Sequence, residues 1–283
     1  MDELNQTAEK LCLFYQLNRF APFAMLILCV ISVLMVTWGK TPLGVIPLAF
    51  GLALMVVGRC MNRRYTRRAA AANLCFGLAR DLEGFAYRAS GGMDEAAFRA
   101  WSLLPLADGD RRLLCRNTFS GRRDGLDLAG SEVTFHYKAD AGGTAGYRFL
   151  SGTLLTAETG DRPGGDGWLL LNGDLAEEPE LRRFLEEAGW RPAAALNGRR
   201  LFARGEQTPG EDLLSRLSGL PESVTALRLA SGGAAAYLDR RFYTGARYPS
   251  ARPTPERLRE NTLPERDPVW DLFGWWLSPD RPR

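Results

Sequence analysis

Between Arg19 and Arg59 the chain carries a single charged residue, Lys40, and this gap constrains the fold more than any other feature. The first stretch, FAPFAMLILCVISVLMVTW (residues 20–38), is uncharged over 19 residues. At about 1.5 Å per residue a helix of that length reaches roughly 28 Å, the depth of a bilayer core. The second, TPLGVIPLAFGLALMVVG (residues 41–58), is nearly as long. Together they predict a transmembrane helical hairpin over residues 20–58. A cleaved signal peptide would have a shorter apolar region and an A-x-A-like site. Gly44, Gly51 and Gly58 recur every seven residues, so they share one helix face and let another helix approach closely. Pro47 predicts a kink.

Orientation follows from the distribution of Lys and Arg. The connecting loop holds only Lys40, whereas Arg59, Arg63, Arg64, Arg67 and Arg68 follow the second run, and Lys10 and Arg19 precede the first. The reading is a multi-pass protein of the inner membrane with both termini cytoplasmic. The Asn5-Gln6-Thr7 sequon would then lie on the wrong side for glycosylation. The five arginines serve as a topology signal and as contacts to the anionic headgroups of the bilayer, each worth about 1 kcal/mol. Nucleic acid is excluded as a partner, because the basic residues crowd one or two helical turns without interleaved stacking aromatics. The whole-chain charge of +3 is likewise too small to call for a polyanion.

Beyond the hairpin the fold class expected is α+β. Residues 1–19 form a cytoplasmic N-terminal segment and residues 59–88 a basic helical stalk with Leu74, Leu78, Leu82 and Phe85 at helical spacing. Residues 89–247 form a cytoplasmic α+β domain with a mainly antiparallel sheet, and 248–283 a Pro/Arg-rich tail. Within the domain, residues 93–100 read as a short helix. SEVTFHYKA alternates Val133, Phe135 and Tyr137 with Thr134, His136 and Lys138, the period of a half-buried strand. AGYRFLSGTLLTAET and DGWLLLNGD read as further strands, the first joined to its predecessor through Gly142-Gly143. A helix is expected over about 178–189, and Asn197-Gly198 marks a hairpin. TPGEDLLSRLSGL opens with Thr208, Pro209 and Glu211 in capping-box positions. VTALRLASGGAAAYLDR reads as a hairpin turning at Gly232-Gly233. In the tail, DPVWDLFGWWL predicts a short helix with Trp270, Phe273 and Trp276 along one side, docked on the domain's core or laid against a membrane interface.

GGMDEAAFRAWSLLP, GLDLAGSEVTFHY with its Ser131-Glu132-Val133 triplet, YRFLSGTLL, and TPGEDLLSRLSGL with the hairpin after it carry a family resemblance. In this order of elements, from about residue 87 to 276, the chain resembles the bacterial membrane proteins grouped as DUF3137. That resemblance implies a fold pattern preceded by a membrane hairpin and brings no assigned chemistry. The chain departs from the family pattern at TFHYKADAGGTAG and in its alanine-rich later strands.

Motifs for catalysis are sparse. Gly39-Lys40-Thr41 lacks the earlier glycine of a phosphate-binding loop, since Leu34 stands there. With one histidine, His136, no paired-histidine metal site can form, and no Gly-x-Ser-x-Gly elbow accompanies it. Asp108, Asp110, Asp124 and Asp127 fall in turn-rich sequence without EF-hand spacing. The glycine-rich loop over residues 160–167 precedes no helix. Five cysteines, odd in number and widely spaced, give neither a disulfide framework nor a metal knuckle. No cofactor or metal is therefore expected. The function expected is a non-catalytic binding or regulatory module with a protein partner. The alternative is a membrane-proximal enzyme or cation-dependent hydrolase built on Asp108 to Asp127 and His136.

Overall fold

The computed structural model describes residues 2–39, 41–93, 95–101, 103–104, 113–141, 144–159, 167–240, 254–256 and 265–278. The chain divides into two compact units: Met1–Gly77 with Gly245–Thr262, and Leu78–Thr244 with Leu263–Arg283.

Two long helices make up most of the first unit, α1 (Asp2–Thr37) and α2 (Thr41–Leu78). α1 ends where Gly39 takes φ +73° and its N–H bonds to the Val36 carbonyl at 3.1 Å, a left-handed stop that glycine adopts freely. The rods approach at Gly51, where a Cβ would lie 3.9 Å from Met25 Cγ and 3.9 Å from Leu28 Cβ. Ala8, Leu11, Cys12, Ala72 and Leu74 are buried, whereas Phe20, Phe23, Leu26, Val45, Ile46 and Phe50 are exposed.

The expected transmembrane hairpin is corrected here: among the described residues, no helix is long and apolar enough to cross a membrane. An uncharged run differs from an unbroken hydrocarbon one. α1 gives its first half to Asp2, Glu3, Glu9, Lys10 and Arg19, and α2 gives its second half to arginines and alanines. Between these, Pro22, Ser32, Gly44, Pro47 and Gly51 interrupt the apolar surface. The multi-pass, inner-membrane placement with both termini cytoplasmic rested on those two spans and falls with them.

The second unit is α+β. Its elements are β1 (Glu83–Ser90), α3 (Glu95–Ala100), β2 (Leu114–Arg123), β3 (Leu126–Ala141), β4 (Thr144–Glu158), β5 (Gly167–Asn172), α4 (Gly173–Ala176) and α5 (Pro179–Glu187). They continue with β6 (Arg191–Leu196), β7 (Arg199–Arg204), α6 (Glu211–Ser218), β8 (Val224–Ala230), β9 (Gly233–Leu238) and α7 (Arg266–Leu277). The strands form one nine-stranded sheet in the order β1-β2-β3-β4-β9-β8-β5-β7-β6. Every pairing is antiparallel.

The period-two alternation of the central strands sends their side chains to two covered faces. On one, Val133, Phe135, Leu154, Leu169, Leu171 and Tyr237 pack with residues of α3 and α5. Phe135 centres this core, 5.0 Å from the Phe98 ring and 5.6 Å from that of Tyr237. On the other, α7 packs against β4 and β9. There Phe119 meets the Trp270 ring edge-on at 6.3 Å. It does so by lying over Gly130, where a Cβ would come within 2.4 Å of its ring.

The helical stalk is also corrected. α2 stops at Leu78, and residues 83–90 pair as β1 because Phe85 and Tyr87 are half-buried while Ala86 and Arg88 between them are exposed. Gly84, at φ +63°, sits where the β1–β2 register shifts, and a right-handed helix cannot continue through it. The capping box is absent: α6 begins at Glu211 behind Gly210, with no side-chain cap. Asn197 (φ 43°) and Gly198 (φ 77°) form the two-residue turn between β6 and β7.

Candidate functional site

Strand parity sorts the titratable side chains. The odd residues of β3 from Asp127 to Phe135 face α3 and α5, and the even ones, Glu132, Thr134 and His136, face the other way. Asp127 and His136 are thus on opposite faces and, nine residues apart along one strand, separated by about 30 Å. Asp124 occupies the β2–β3 turn at φ 53°. Asp108 and Asp110, the loop at 160–166, Lys40 and the Gly142-Gly143 link lie outside the described residues. The set on which the enzyme alternative depends is therefore not brought together among the described residues. No group of three or more His, Cys, Asp or Glu there is placed to hold a metal ion.

The polar set that does converge was not anticipated from the sequence. At a register shift between Arg116 and Phe119, Asn117 takes φ 50°. Its amide accepts from Tyr87 Oη at 2.8 Å and donates to Glu132 Oε2 at 2.8 Å. Beside it Thr118 donates to the Gly91 carbonyl at 2.7 Å and lies 2.9 Å from Ser131 Oγ. Each of these groups stabilises the bulge. Glu132 is four strand residues from His136, about 13 Å, so the two form no acid–base pair.

Three arginines among the described residues of the second unit are buried, Arg199, Arg228 and Arg266, and the first two hold backbone carbonyls. Arg228 Nη1 donates to Trp101 O at 2.6 Å. Burial lowers its pKa, and Arg204 lowers it further. Arg199 donates to the carbonyls of Leu220 and Pro221. Burial lowers its pKa too, partly offset by Glu222.

Of the residues singled out in the sequence, Arg64 and Arg68 are exposed on α2, while the side chains of Arg59, Arg63 and Arg67, and of Gly44, lie outside those described. Gly51 is at the α1–α2 approach, and Gly58 is part of α2. The aromatic residues of the tail lie on α7. Trp270 and Phe273 are buried, and Trp276 donates its indole N–H to Ala230 O at 2.8 Å. The helix is anchored at its start by Arg266, whose Nη2 lies 2.7 Å from Asp81 Oδ2 and whose guanidinium carbon is 5.1 Å from the Trp270 ring centroid.

Between α7 and the β2–β3 turn lies a cleft of about 610 Å³. Trp270, Trp275 and Leu128 supply its apolar lining, and Arg123, Asp124 and Asp271 supply charge. Arg123 reaches Asp124 at 3.4 Å and Asp271 at 3.8 Å, with its guanidinium 5.9 Å from the Trp270 ring centroid. Arg216 stacks over Trp275 at 4.6 Å. The indole N–H of Trp270 is buried without an acceptor among the described residues. Gly274 also lines the cleft, and a Cβ there would meet nothing within 4 Å, so the space above this turn of α7 is open. Aromatic side chains beside an arginine and exposed carboxylates suit recognition of another molecule's surface.

No family model matches this chain, and neither does any curated protein. Among solved structures, the chain is similar to the crystal structure of the mycobacterial trehalose monomycolate transport factor A, with 11% identity and a TM-score of 0.41, over 76% of this chain and 98% of that one.

Proposed function

We propose that the protein acts as a non-catalytic binding module and that the α7 cleft receives a protein partner. The observation that supports this reading is the cleft itself, where two tryptophans and Arg123 line an open depression on rigid elements. The composition matches the residues that dominate protein interfaces, with Trp and Arg foremost. The scattering of Asp124, Asp127 and His136 leaves the hydrolase alternative without an assembled site among the described residues.

The test places a photo-crosslinking residue at position 275 of the full chain, with a second, exposed position, 222, as reference. Protein adducts are expected from 275 and not from 222, and they should vanish in Gly274→Phe, which fills the cleft. Adducts that persist with the cleft filled, or none from 275, would overturn the proposal.

A further inference from the structure

A second cavity, of about 330 Å³, lies beside α5 and the β6–β7 hairpin. It is distinct from the α7 cleft in its residues and in its chemistry. Leu185, Trp190, Pro192 and Phe202 give it an apolar lining, and Arg182, Arg200 and Glu186 supply the charged groups. The volume is at the lower end of the range for small-molecule pockets, and such pockets combine an apolar wall with a few convergent polar groups in this way.

Three features point to the class of ligand. The first is Trp190, which is 3% exposed and whose indole N–H finds no acceptor among the described residues. The nitrogen itself has no accessible surface, so it is the indole ring that a ligand in the cavity meets. The second is the pair of guanidinium groups. Arg182 is exposed with no ion pair among the described residues, and Arg200 gives only one N–H, from Nη2, to Glu177 Oε1 at 2.8 Å. A guanidinium carries five donors in a planar fork suited to carboxylate oxygens, so both retain donors for a ligand. The third is Arg228, whose guanidinium carbon is 5.7 Å from the Trp190 ring centroid and adds positive charge near the cavity. Glu186 opposes these cations and leaves the lining with a net positive balance.

We propose that this cavity binds a small organic carboxylate with an apolar body. The carboxylate is held by Arg182 and Arg200. The apolar part lies against Phe202 and Leu185.

Titration of the full chain with 3-phenylpropionate, followed through the indole N–H signals in a proton–nitrogen correlation spectrum, tests this. Trp190→Phe identifies the Trp190 signal. Phenylpropionate is expected to move that signal in a saturable manner. Phenethylamine, of the same shape and opposite charge, should leave it in place. Arg182→Ala removes an exposed side chain and should weaken binding at least tenfold, with Arg182→Lys recovering part of the loss. Unchanged positions of the other indole signals in each variant verify the fold. No shift with phenylpropionate, an equal shift with phenethylamine, or undiminished binding in the Arg182→Ala/Arg200→Ala double variant would overturn the proposal.

Discussion

The two halves of the sheet solve different problems. β8 and β9 are buried along their whole length, under helices on both faces, whereas β1 and β2 alternate covered with exposed positions. In the closed half a buried charge is held by fixed partners, as Arg228 is by the Trp101 carbonyl. In the open half the charges line up in the wet. Glu83, Arg122, Asp127 and Glu158 are successive register partners across four strands, all of them exposed. The difference teaches that position in the strand order, rather than strand length or composition, sets how much a substitution can cost.

The comparison can be broken at its strongest point first. Phe135→Ala removes the ring at the centre of the closed core and should cost about 3–5 kcal/mol, read as a lowered midpoint in urea unfolding. A loss under about 1 kcal/mol would show that this core is loosely packed. Gly152→Ala comes next. A Cβ there would lie 2.0 Å from the Leu238 carbonyl oxygen, and backbone cannot swing aside as a side chain can. Overpacking of this kind costs about 1–3 kcal/mol, visible as a drop in Tm. At the turn beside the β6 edge, Asn197→Ala should cost about 1 kcal/mol, since alanine tolerates φ 43° less well than asparagine, and Asn197→Gly should restore the loss. Smallest of all is Arg122→Ala. Its partner Asp127 is 3.0 Å away, but the two side chains are 60% and 58% exposed, so a change within about 0.5 kcal/mol is expected in the same urea assay. A large effect there would mean that the open half depends on its charge row after all.

The same division explains what could be read in advance. The strands at β5, β8 and β9 are legible because burial along their length demands mostly apolar residues, and the Gly232 turn punctuates the last two. β1 and β2 were not legible. In EGFAYRAS the apolar residues sit close enough to Leu74, Leu78 and Leu82 to extend a helical spacing, and only the pairing with β2 shows that Gly84 breaks it. LCRNTFSGRR is polar because only Phe119 among its positions is fully buried, so it carries no strand signature of its own. At the helical hairpin, counting charges alone does not weigh Pro22, Ser32, Pro47 and Gly51, which interrupt the two runs. The cleft is partly legible: the tryptophans of α7 stand out in the sequence, but Arg123 and Asp124 join them only because the β2–β3 turn lies beside that helix. The second cavity is not legible, because Arg200 and Phe202 of β7 join Arg182 and Trp190 only through the packing of α5 beside the β6–β7 hairpin.

The strand order also sets a schedule for folding. β1 to β4 follow one another as a meander and can pair by local search, but β4 finds its other neighbour in β9. The two meet beside Thr159 and Gly232, 73 residues apart in the chain and bonded at their ends. Loop closure over that distance is slow compared with hairpin formation. A nascent chain made from the N-terminus would therefore carry the unpaired edge of β4 until β9 has been synthesised. An exposed strand edge of this kind recruits other strands. During synthesis this protein's vulnerability to misassembly would be concentrated on β4, which in the finished fold is a covered interior strand.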